Sequence, residues 1–112
     1  MPDSALVVFT SLPNPVQAKK LSRQILRRKY AACINLIKEV ESFFWWKGKI
    51  ERANECLLLI KTRRSRFEHL RTFIEKNHPY SVPEIIALPI QKGNRAYLKW
   101  LAFSVRSRRV PG

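Results

Sequence analysis

A chain of 112 residues, 46% of them hydrophobic, carries enough apolar material for the core of one domain spanning 1–112, which excludes disorder throughout. Its 22 Lys and Arg against 8 Asp and Glu leave a net charge of +14, which favours nucleic acid, acidic protein or anionic lipid as partners. With only three glycines there is no glycine-rich phosphate cradle, and with Asp3 as the sole aspartate a Ser-His-Asp triad has no credible third member.

Residues 5–10 (ALVVFT) form a near-continuous apolar run, as a central strand should. The next four residues break it. Asn14 is then a good helix N-cap, Pro15 suits the first helical position, and Gln17 completes a capping-box pattern. Ala18, Leu21 and Ile25 recur at helical spacing and should face a core. Lys19, Lys20, Arg23, Arg27 and Arg28 fall on the other faces and read as a solvated surface. The first basic residue is Lys19, so a signal peptide's basic start is missing. The uncharged run 4–18 contains Pro13 and Pro15 and is too short for a membrane span, so no integral membrane segment is expected.

Residues 31–62 read as a long β-hairpin turning at Lys47-Gly48-Lys49, where Gly48 can take a positive φ. By the two-residue strand period, Ala32, Ile34, Leu36, Val40, Phe44 and Trp46 share one face. The tip, Phe43, Phe44, Trp45 and Trp46, is apolar on both faces and must be covered by something. Cys33 and Cys56 lie too far apart along the hairpin for a disulfide, and free thiols suit a cytoplasmic location.

A second helix should run from about residue 64 to 77, with Ser65 and Glu68 as a capping box or Thr62 as a rival cap, and Phe67, Leu70 and Ile74 buried. The two prolines in HPYSVPE (78–84) force extended or turned backbone. Residues 85–90 form another apolar strand, placed at an edge by Pro89, which cannot donate to a ladder. Gly93 and Asn94 end it and cap a third helix from Arg95 to about Val105. Residues 106–109 begin a basic, frayed tail.

The order is β-α-β-β-α-β plus a terminal helix: an α+β, ferredoxin-like sandwich with strand order 4-1-3-2 and two open edges. The fourth strand then runs beside the first, which brings His78, Tyr80 and Glu84 toward Thr10 and Ser11. A corner with an imidazole, a phenol, a carboxylate and hydroxyls is a candidate ligand cleft. The alternative is a turn whose His and Tyr merely satisfy backbone groups. His69, among charged neighbours, reads as surface.

Along these residues the chain resembles the CutA family of divalent-ion tolerance proteins. AACIN (31–35), WKGKI (46–50), LLIKT (58–62) and HPYSVPEI (78–85) match its motifs in order and spacing. The resemblance implies a ferredoxin-like subunit in a tight homotrimer, its long hairpin engaged between subunits. It implies a link to copper or other divalent-cation tolerance, and for some animal relatives to acetylcholinesterase anchoring. It supplies no reaction, so no enzyme activity is expected. Some bacterial members offer a cysteine at the position of Thr10 and a histidine at that of Asn77 as copper ligands. Here only His78 remains, and Ser81 stands where many members have Glu. His78 is thus the metal ligand candidate, for copper or another divalent cation held weakly.

Two other readings stay open. One is a nonspecific nucleic-acid-binding module on the same scaffold, a polyanion contact without the base-stacking aromatics of an RNA-recognition motif on its central strands. The other is a membrane-surface module whose 43–46 tip, flanked by Lys47, Lys49 and Arg52, dips into lipid.

Overall fold

The N-terminal apolar run becomes an inner strand. In the computed structural model, which describes residues 3–106, β1 (Ala5–Leu12) lies between β3 (Lys49–Arg63) and β4 (Ile86–Pro89), and β2 (Cys33–Trp46) pairs with the far side of β3. All pairings are antiparallel, the order is β2-β3-β1-β4, and β2 and β4 are the two edges. Helices α1 (Pro15–Arg27), α2 (Phe67–Asn77) and α3 (Arg95–Ser104) complete the expected α+β, ferredoxin-like order. The basic tail expected from residue 106 lies outside the described residues beyond Arg106.

Side chains alternate across the sheet, and the alternation divides the chain into two layers. Val8, Leu12, Leu58 and Ile60 point to one face and pack against Ala18, Leu21 and Ile25 of α1 and Leu70 and Ile74 of α2. Each of the aliphatic ones contributes about 1.5–3 kcal/mol through burial. The opposite face receives α3: Cys33 and Lys61, which pair across β2 and β3 on that face, both approach Tyr97.

Local chemistry sets the helix starts. The Gln17 amide donates to the Asn14 side chain at 2.9 Å, as the capping pattern requires. At the second helix the expected Ser65–Glu68 box does not form. A 3₁₀ turn (Arg64–Arg66) precedes α2, and Ser65 donates from both its amide (2.8 Å) and its hydroxyl (2.6 Å) to Asp3. Glu68 turns instead to Arg71 at 2.8 Å. A carboxylate 62 residues away in sequence does the capping, which no local pattern could reveal. Burial pushes the Asp3 carboxyl up, but the Ser65 hydrogen bonds and the Arg63 and Arg64 charges outweigh it and hold it below the usual range. Asn94 precedes α3 in the N-cap position, but its side chain makes no cap bond.

The hairpin arms are 14 and 15 residues long. They stretch the molecule to 50 × 34 × 24 Å and its radius of gyration to 15.1 Å, against ~13 Å for a compact chain of this size. Lys47 (φ 49°) and Gly48 (φ 79°) form the two-residue turn, and Trp46 pairs with Lys49. The expected single face of the first arm is not continuous. Ile37 pairs with Leu57 and Val40 with Glu55, so Lys38 and Glu39 together oppose Cys56 in a β-bulge, with Glu39 at φ 58°. One extra residue reverses the alternation. Ile34 and Leu36 face the α1–α2 core, whereas Val40, Phe44 and Trp46 face the other way. Cys33 pairs with Lys61, five residues from Cys56 and on the opposite face, and both thiols are free.

Candidate functional site

The corner is assembled where α2 ends. Pro79 keeps His78 extended (φ −87°, ψ 139°), so the chain leaves the helix and turns back over the end of β1. The His78 ring meets the backbone on both sides. Its Nε2–H donates to the Ser11 carbonyl at 2.8 Å, and its Nδ1 accepts the Tyr80 amide at 3.1 Å. A carbonyl can only accept, which places the proton of the neutral ring on Nε2. Burial holds the imidazole below its ordinary pKa, although the Ser11 contact and the Glu55 charge pull the other way.

Tyr80 packs its ring 4.9 Å from that of His78 and donates its hydroxyl to Glu55 Oε2 at 2.6 Å. Burial, and then the Glu55 carboxylate, push the phenol well above its usual range. Glu55 is 9% exposed and lies on the sheet face shared with Ser11. Glu84 stands at the rim. Its carboxyl is held above the usual range by burial and then by the charge of Glu55. Tyr80, Glu55 and Glu84 border a cleft of about 1070 Å³ whose other wall is the hairpin, through Phe44, Trp46 and Glu51.

His78 and Tyr80 therefore meet β1 and β3, and Glu84 shares the cleft with Tyr80 but not with His78, which does not line it. Thr10 does not join them: its hydroxyl is buried on the other sheet face and is the one buried side-chain oxygen without a partner among the described residues. Asn77 bonds back to the Phe73 carbonyl at 2.8 Å. His69 is exposed and stacks on Tyr30 at 5.7 Å. Among the described residues no three His, Cys, Asp or Glu side chains converge as a metal cluster. Glu55 was missed by sequence reasoning. Its signal was a lone carboxylate abutting the apolar run Cys56–Ile60, meaningful only once the β1–β3 register puts Ser11 opposite Leu57.

The hairpin tip stands in solvent in the single subunit. Phe43, Phe44, Trp45 and Trp46 are 65, 40, 72 and 48% exposed. Phe44 and Trp46 share their sheet face with the exposed Ile37, Ile86 and Leu88, so the bare apolar surface extends from the tip to β4. No helix among the described residues is long and apolar enough to cross a membrane.

Comparison with known proteins places these features. The profile of the CutA1 divalent ion tolerance protein family matches residues 6–104. The chain is similar to "Protein CutA 1, chloroplastic" of Oryza sativa, 45% identical over 102 residues that make up 91% of this chain and 58% of that one. It is 37% identical over 102 residues to the divalent-cation tolerance protein CutA of Yersinia pestis, covering 91% of this chain and 86% of the relative. The crystal structure of CutA1 from Oryza sativa superposes with a TM-score of 0.91 at 43% identity, over 95% of this chain and 97% of that one. The chain spans under three fifths of the length of the rice, Arabidopsis and human relatives.

Proposed function

The chain belongs to the CutA1 divalent ion tolerance family, and on that premise we propose that it acts as a cytoplasmic homotrimer in tolerance of divalent cations, copper foremost. In this reading the whole chain is one domain, metal is held weakly at His78, and no reaction is catalysed.

The observation that carries the assembly is the bare apolar surface from the 43–46 tip to Ile86 and Leu88, flanked by two open sheet edges. Four aromatics of about 150–250 Å² each, covered at ~25 cal/mol per Å², outweigh the screened repulsion between basic subunits. The closeness of Tyr80, Glu55 and Glu84 to the hairpin puts the cleft beside that surface. Weak metal binding follows from the occupied imidazole. A cation at Nδ1 must displace the Tyr80 amide, and the other side chains at that corner are the Tyr80 phenol and the Glu55 carboxylate, already bonded to each other. The two free cysteines suit a reducing compartment.

Native mass spectrometry of the purified protein, with metal analysis of the same sample, tests this. The expected result is a particle of three subunits carrying little metal. A monomer at micromolar concentration overturns the assembly, and stoichiometric copper that survives dialysis overturns weak binding. A blue shift of Trp45 and Trp46 emission on adding lipid vesicles to a monomer would favour the membrane-surface reading instead.

A further inference from the structure

The basic residues of α1 are arranged, not scattered. At 100° per residue, Lys19, Arg23 and Arg27 form one row, ~6 Å apart along the axis, with Lys20 beside them. All four are exposed, and the row lies opposite the buried stripe of Ala18, Leu21 and Ile25. The surface continues past the helix end. Arg66 reaches the Lys29 carbonyl at 3.3 Å and covers the Tyr30 ring, and Arg64 is exposed beside it.

This face has no acid of its own, and none reaches it. No Asp or Glu occurs between residues 15 and 29. Three acids sit near the helical layer, and arginines of other elements hold them: Asp3 by Arg63 at 3.1 Å, and Glu68 and Glu75 by Arg71 at 2.8 Å. The other five acids, Glu39, Glu41, Glu51, Glu55 and Glu84, belong to the hairpin and the corner. The contrast with α2 is direct, since its central arginine is clamped by two glutamates whereas the cations of α1 form none of the ion pairs among the described residues. Like charges three and four residues apart cost a helix about 0.2–0.5 kcal/mol per pair. α1 bears several such pairs without relief from its own sequence.

We propose that the outer face of α1, centred on Lys19, Lys20, Arg23 and Arg27, docks the phosphodiester backbone of nucleic acid without regard to base sequence. Charge complementarity and regular spacing favour that partner. A membrane surface would require Trp, Phe or several Leu on the same face for insertion, but only Val16 lies within it and a single Leu26 at its edge, and the exposed aromatics of the hairpin and α3 lie elsewhere. A specific protein partner would require a large aromatic or aliphatic anchor that fills a pocket, and the lone Val16 among four cations is a poor one. The face lies on the other side of the sheet from Ile86 and Leu88, so it remains outside the proposed subunit contact.

The test uses the full chain, labelled DNA and RNA duplexes of random sequence, and fluorescence anisotropy across a salt series. One variant carries Lys19→Gln, Arg23→Gln and Arg27→Gln. The control carries the same loss of charge away from this face, as Lys92→Gln, Arg95→Gln and Lys99→Gln. The wild type should bind with a steep salt dependence. The α1 variant should bind about 10–100-fold more weakly, with a DNA salt slope smaller by about 2.7, and should be no less heat-stable because repulsion is removed. The control should lose under about threefold. Equal losses in both variants, no wild-type binding at low salt, or binding to phosphatidylserine vesicles but to neither duplex would each overturn the proposal. A hundredfold preference for one sequence over its scramble would also overturn it. The slope change counts one subunit's three cations and grows with the number of subunits on the duplex, and none of these readouts depends on the metal reading.

Discussion

The Tyr80 hydroxyl donates to the buried Glu55 carboxylate at 2.6 Å, and this bond ties the segment before β4 to the base of the hairpin. Removing the donor leaves a nine-tenths buried carboxylate oxygen without its partner. Tyr80→Phe should therefore destabilise the protein by about 1–3 kcal/mol, read from urea unfolding at one fixed protein concentration. An unchanged midpoint would mean that water replaces the hydroxyl freely.

Protonating His78 removes Nδ1 as the acceptor of the Tyr80 amide, and burial already lowers the ring's pKa. The unfolded chain then takes up this proton first as pH falls. Stability from His78 is full above the ordinary value of 6.5 and is lost as pH drops from there through the lower folded value. Glu84 has the opposite sign: its raised carboxyl contributes fully below the ordinary 4.5 and loses that contribution as pH rises through the folded value. The difference in unfolding midpoint between wild type and His78→Asn, followed downward from neutral pH, should isolate the histidine. Glu84→Gln should raise stability at neutral pH by relieving Glu55.

Copper added to the wild type should bind weakly in a calorimetric titration, and His78→Ala should abolish the heat. Thr10 and Asn77 cannot supply a thiolate or an imidazole, and Thr10 turns its hydroxyl into the core. Tight binding that survives the substitution would move the site to Cys33, Cys56 or His69.

Both central residues of the hairpin turn have positive φ. Lys47→Asn should raise stability by roughly 0.5–1 kcal/mol, because Asn tolerates that region better than Lys. No heavy atom lies within 4 Å of a Cβ placed on Gly48, so Gly48→Ala is strained only by its φ of 79° and should cost about 1–2 kcal/mol. Thermal melts of the two variants check both signs. Equal melts would mean that the turn is looser than the paired Trp46 and Lys49 indicate.

Local rules carried the fold. The unbroken apolar run of residues 5–10 gave the inner strand, Asn14 and Pro15 the first helix, Gly48 the hairpin turn, and Pro89 an edge strand, and each depends on interactions only a few residues apart. The strand order followed because right-handed crossovers leave few ways to connect that series. Local rules failed where one residue answers a distant one. The bulge at Lys38–Glu39 leaves no mark on the hydrophobic pattern yet transfers Phe44 and Trp46 to the opposite face.

The sequence by itself determined the element order, the approach of His78 to the end of the first strand, and an aromatic hairpin tip that needs a cover. Only the tertiary structure decided that Asp3 caps the 3₁₀ turn before the second helix, that Glu55 is the partner of Tyr80, and that both His78 nitrogens are engaged. Periodicity fixes which way a side chain leaves its own element. Hydrogen-bond partners depend on register between strands far apart in sequence, and a shift of one residue there exchanges every neighbour.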